Sequence, residues 1–142
     1  MEINALKPED FGITKYKFRP DGTLDVFENV YMEGENLKEL PFNFGRVNGY
    51  FKCGYNRLKT LKGAPKVVNG YFSCFDNRLE SLKYSPKIVN GSFNCSYNNL
   101  TSLKGLNLDG VSGDIYVYDN PNLKLSEKEQ LWMTLNPGRL VF

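Results

Sequence analysis

Residues 58–77 read LKTLKGAPKVVNGYFSCFDN, and residues 79–98 read LESLKYSPKIVNGSFNCSYN. The second stretch is the first rewritten 21 positions later, and the same register extends upstream. Phe51, Phe72 and Phe93 align, as do Cys53, Cys74 and Cys95; Asn56, Asn77 and Asn98; Leu58, Leu79 and Leu100; and Leu61, Leu82 and Leu103. Val47, Val68 and Val89 form a further column, each followed by Asn-Gly, and Pro65 matches Pro86. A fixed period of this length marks an array in which each unit buries the face its neighbour exposes.

Working outward, the register places Val30, Met32, Leu37 and Leu40 on the same columns, with Val26 matching Val47. Downstream it needs one inserted residue between Leu106 and Gly110, after which Gly113, Ile115, Val117 and Asn120 fall into line. A second insertion at Pro121 delays Leu123. The chain therefore holds about four units, the last of them irregular, as terminal repeats usually are.

The segment from Phe72 to Leu79, with Cys74 and Asn77 between them, resembles the L-x-L-x-x-N-x-L part of the leucine-rich-repeat pattern, with Phe and Cys standing for two leucines. The resemblance covers roughly residues 24–123 and departs from the family where Val68 precedes Phe72 by four residues instead of three. More narrowly, the repeats look like those of short repeat proteins encoded by tailed bacteriophages. It implies an α/β-type leucine-rich-repeat solenoid, mostly β, with one short curved parallel sheet. The Phe and Cys columns point inward from that sheet, and the leucine columns point inward from turns or short 3₁₀ pieces on the other side. The asparagines serve the backbone of the turn after each strand and of the adjacent repeat.

Both ends read as caps within a single domain: residues 1–36 as N-terminal cap and first strand, 37–122 as repeats, and 123–142 as C-terminal cap. Arg19-Pro20-Asp21-Gly22 between Ile13–Phe18 and Leu24–Met32 predicts a β-hairpin whose second strand opens the sheet. Ser126 with Glu129 reads as a capping box starting a short helix. Leu131, Trp132 and Leu135 are then expected to cover the last repeat before Asn136-Pro137-Gly138 ends the helix.

Composition narrows the function. No stretch of about 18 apolar residues offers a membrane span, and Met1–Asp10 carries Glu2, Glu9 and Asp10 without an apolar leader core. An odd count of three cysteines disfavours a disulfide framework, so a reducing, cytoplasmic setting is expected. The cysteines occupy a core column, and with no histidine in the chain a zinc site has no ligand set. The lack of histidine, of a nucleophile elbow and of a phosphate loop also argues against an enzyme. No cofactor or metal is expected.

The outward side of the strands is the informative surface. Seven of the nine tyrosines project there, on an assumed concave face. The candidate partner-binding residues are Tyr31, Tyr50, Lys52, Tyr55, Tyr71, Phe75, Asp76, Asn94, Tyr97, Tyr116, Tyr118 and Asp119. Tyrosine amid Ser, Asn and Gly gives large contact area at low rotamer cost, the composition of a protein-binding surface. A sheet also attracts tyrosine through strand propensity and cross-strand stacking. The expected partner is a protein, and the phage resemblance implies a host protein, such as a defence component, that is bound and inhibited or redirected. The chain itself is expected as a monomer or weak homo-oligomer. Lys62, Lys66, Lys83, Lys87 and Lys104 make alternative polyanion-binding columns, although a net charge of +2 disfavours nucleic acid and makes a solvated face the plainer reading. Self-association through the tyrosines is a third possibility.

Overall fold

The computed structural model describes residues 6–142; residues 1–5, Glu2 among them, lie outside that range. The chain is mostly sheet, with parallel strands in two sheets and one α-helix, an arrangement compatible with an α/β fold. A 3₁₀ turn at Pro8–Phe11 leads into β1 (Tyr16–Phe18), which pairs antiparallel with β2 (Leu24–Val26) across the Arg-Pro-Asp-Gly turn. The hairpin expected from the sequence is therefore present.

The single sheet is a correction: each 21-residue unit contributes to two. After β2 the chain forms β3 (Val30–Tyr31), β4 (Phe44–Val47), β5 (Phe51–Lys52), β6 (Val67–Val68), β7 (Phe72–Ser73), β8 (Ile88–Val89), β9 (Phe93–Asn94) and β10 (Ile115–Tyr116). β2, β4, β6 and β8 stack in parallel behind β1, while β3, β5, β7, β9 and β10 stack in parallel in a second sheet. The expected second hairpin strand, Leu24–Met32, is thus divided between the sheets.

The physical reason lies in the Val-Asn-Gly columns. Asn48, Asn69 and Asn90 form a ladder at the corner between the sheets, where Asn69 Nδ2 donates to Asn48 Oδ1 at 2.6 Å and Asn90 Nδ2 to Asn69 Oδ1 at 2.9 Å. The glycine beside each asparagine lets successive corners nest: a Cβ on Gly70 would stand 2.8 Å from the Gly49 carbonyl carbon and the Tyr50 nitrogen. A spacing of four from Val68 to Phe72 is what that corner requires.

Between the two sheets runs one apolar core from Ile13 to Leu140. The Phe51, Phe72 and Phe93 rings stack at 5.5 and 5.2 Å, and the Cys, Val and paired Leu columns are fully buried beside them. The inserted residue near Leu106 is absorbed by a 3₁₀ turn at Leu108–Gly110, and the last unit's share of the first sheet shrinks to a single Val89–Val111 bridge.

At the C-terminal end, α1 (Glu127–Leu135) starts at the expected capping box, with Ser126 Oγ accepting from the Glu129 N–H. Trp132 covers the core, but Leu131 and Leu135 are 59% and 71% exposed. The nine-residue helix lays only one stripe on the repeats, so the expected three-residue cover reduces to one. After Gly138 the chain forms an unexpected strand, β11 (Leu140–Val141), which pairs parallel with β10. No helix of the described residues is long and apolar enough to cross a membrane.

Candidate functional site

The second sheet buries Phe51, Phe72, Phe93 and Ile115 on one side and presents the tyrosines on the other, in the register the sequence predicted. Tyr31, Tyr55, Tyr71, Tyr97 and Tyr118 are exposed, and Tyr50, Lys52, Phe75, Asn94 and Tyr116 are half-buried among them. The face resolves into clusters. In the first, Tyr50 and Tyr71 stack at 5.2 Å, and the Lys52 ammonium lies 5.0 Å from the Tyr50 ring, 5.2 Å from Tyr71 and 5.9 Å from Tyr31. The Tyr71 hydroxyl, with the Glu33 carboxylate as a weaker influence, raises the Lys52 pKa and keeps the ammonium charged.

In the second cluster, the Phe75 ring sits 5.3 Å from Tyr55 and 5.0 Å from Tyr97. The Asp119 carboxylate near the Tyr97 hydroxyl raises the tyrosine's pKa. Tyr116 and Tyr118 form a third pair at 5.9 Å. Asp76 is exposed between the tyrosines. Asn94 turns its Oδ1 to the Ser96 N–H at 3.0 Å and also lines the face.

Between the first two clusters lies an open groove of about 370 Å³. Ser73 and Ser92 line it together with Tyr55, Tyr71, Phe75 and Tyr116. Small residues flanked by tall aromatics are what an inserted partner side chain needs. The face carries the carboxylates of Glu33, Asp76, Asp114 and Asp119 against the one cation Lys52.

The backbone beneath the face is informative. Gly34, Tyr55, Asp76, Tyr97 and Asp119 occupy one column, and all have left-handed φ, between 51° and 69°. Glycine suits this conformation and aspartate tolerates it; tyrosine is poorly suited, at a cost of about 1–2 kcal/mol. Tyr55 and Tyr97 nevertheless stand there, half-exposed, so local backbone stability does not account for their choice. Tyr84 on the connecting side is strained in the same way, with Gly63 and Gly105 at the matching left-handed positions of the neighbouring units.

The asparagine column does serve the backbone as expected. Asn56, Asn77, Asn98 and Asn120 are buried, each bonded to carbonyls of its own turn and of the preceding unit. The three cysteines are free and buried, and burial pushes the Cys95 thiol up to about 12.

The expected lysine columns lie on the surface. Lys62, Lys83 and Lys104 are exposed, each with its N–H donated to the hydroxyl two residues earlier, and Lys66 and Lys87 are exposed along the first sheet. Lys104 lines the groove of about 700 Å³ between Thr101–Asp109 and α1. The structure instead gathers Lys38, Arg57, Lys59 and Arg78, none of them among the expected columns, around one small pocket. The signal was available: Lys38 and Lys59 are 21 residues apart, as are Arg57 and Arg78. Comparison with protein-family models, with curated proteins and with solved structures returns no match.

Proposed function

We propose that the chain is a leucine-rich-repeat solenoid acting as a non-catalytic protein-binding module through its tyrosine face. The observation that carries this reading is Tyr55 and Tyr97, placed at left-handed positions where the backbone disfavours them and half-exposed on either side of Phe75. An aromatic surface of this extent, with a groove lined by serines and aromatics, matches the anchor-and-pocket character of protein interfaces. The preponderance of carboxylates on the face favours a basic patch on the partner.

The resemblance to phage repeat proteins extends the proposal to a host protein, engaged in the cytoplasm and inhibited or redirected; that step is by analogy. The test is affinity capture from host lysate with the wild-type chain and with a folded Tyr71→Ala, Phe75→Ala variant. One specific protein retained by the wild type and lost by the variant supports the reading. Equal recovery by both, or recovery only of nucleic acid that salt removes, moves the function off this face. Self-association as the face's role would show instead as mass rising with concentration in the wild type alone.

A further inference from the structure

The pocket on the flank of the repeats, of about 330 Å³, is lined by Lys38, Arg57, Lys59 and Arg78 and by no other residue. The chain arranges them through its stacking. Arg57 N–H donates to the Leu37 carbonyl and Arg78 N–H to the Leu58 carbonyl, both at 2.8 Å, so the cations rise from three successive units in fixed rows. Successive units of such a stack lie about 4.8 Å apart. Among the described residues none of the four forms an ion pair; the ion pair there is Arg19 with Asp25, in the N-terminal hairpin. Glu39 and Glu80 adjoin the cluster in sequence, and neither reaches any of the four within ion-pair distance. Four cations lining one pocket with no ion-pair partner among the described residues repel one another and favour an anion of matching charge.

Two guanidinium groups supply planar forks for pairs of phosphate oxygens, and two ammonium groups supply point charges beside them. The basic rows are short: one runs Asn36, Arg57, Arg78, Asn99 and the other Lys38, Lys59, Glu80, Thr101. A polymer backbone would need the rows to continue, whereas a compact ligand does not. We propose that Lys38, Arg57, Lys59 and Arg78 form a binding site for a small ligand bearing an oligophosphate group, distinct from the tyrosine face and independent of its function. The shared chemistry is the oligophosphate, carried by a nucleoside triphosphate or as the inorganic ion.

The test is titration of the intact chain with sodium tripolyphosphate, with ATP and with AMP at fixed ionic strength, followed by backbone amide NMR. Expected is saturable one-to-one binding, with shifts confined to residues near 38, 57–59 and 78, and weaker binding of AMP. Arg57→Gln with Arg78→Gln should weaken it by at least about tenfold, whereas Lys66→Gln with Lys87→Gln should not. If the arginine pair fails to fold, Lys38→Gln with Lys59→Gln carries the same expectation. ATP and tripolyphosphate binding alike assigns recognition to the phosphates, and tighter ATP binding assigns the nucleotide as the source. Absence of saturable binding, an equal loss in the Lys66/Lys87 variant, or tighter binding of a single-stranded oligonucleotide would overturn the site.

Discussion

The side-chain amide of Asn77 donates to the Cys53 carbonyl at 3.0 Å, one unit back, while its Oδ1 accepts from the Leu58 N–H at 3.0 Å. It also donates to the Cys74 carbonyl within its own turn, so one buried side chain satisfies three backbone groups. Asn77→Ala leaves the Leu58 N–H unpaired in the core, while the Cys53 and Cys74 carbonyls each lose one donor and keep another, from Asn56 and Asn98. At about 1–3 kcal/mol for the unpaired N–H and about 0.5 kcal/mol for each of the two carbonyl bonds lost, the expected loss is about 2–4 kcal/mol, read as a lower urea midpoint. Asn77→Asp retains the acceptor and loses both donor bonds, so it should not restore stability.

That asparagine column was legible because its period and residue type carry one meaning: a buried amide repeating every 21 residues bonds the stack. The tyrosine face was legible for the same reason, since strand alternation sends the residues beside Phe51 and Phe72 outward. The second sheet was not, because two-residue strands such as Val67–Val68 are too short to show alternation and the Asn-Gly after them looks like any turn. α1 was readable at its start, where Ser126 and Glu129 form a local motif, and misread in its packing, which depends on how the helix lies on the repeats. The four-cation pocket was missed because its rows hold two members each, too few to stand out as columns.

The left-handed column separates stability from function. Tyr97→Asn places a residue that tolerates φ of 57° where tyrosine is strained. The Tyr97 ring packs on Phe75 and its hydroxyl feels the Asp119 carboxylate, both on an exposed face where the loss of these contacts costs little. Stability should therefore be unchanged or rise by up to about 1 kcal/mol, while capture of the protein partner falls. A thermal melt on the variant, set beside its pull-down, checks both. Marked destabilisation would show that Tyr97 is there for the fold.

The buried cysteines predict a pH and reagent signature. Burial raises all three thiols, Cys95 to about 12, with the Cys53 and Cys74 pKa values also above their ordinary 9.0. At pH 8 only about one Cys95 in ten thousand is then a thiolate in the folded chain. A thiol-reactive disulfide dye should leave the native protein unmodified and consume three equivalents in urea. The linkage has a definite sign. Unfolded thiols ionise near 9, so the folded state binds more protons above that pH. The stability from these raised pKa values is full below about 9 and is lost as pH climbs toward about 12. Unfolding midpoints between pH 7 and pH 10.5 should fall, and Cys95→Ala should flatten the dependence. A rapid three-equivalent reaction in buffer at pH 8 would contradict the buried placement.

β11 guards the open edge of the tyrosine-bearing sheet. The Ile115 N–H donates to the Arg139 carbonyl at 2.7 Å and the Val117 N–H to the Val141 carbonyl at 2.9 Å. The Arg139 guanidinium clamps the strand by donating to the Gly113 carbonyl at 2.7 Å and to the Val111 carbonyl. Deleting residues 139–142 frees those donors and uncovers the apolar surface beneath Leu140, which is 6% exposed. An unpaired parallel edge is a template for another chain. The truncated chain should therefore associate as concentration rises, seen by light scattering coupled to size exclusion. Arg139→Ala loosens the clamp but leaves the backbone pairing, so it should cost stability without association. A truncated chain whose mass is independent of concentration would assign β11 to packing alone.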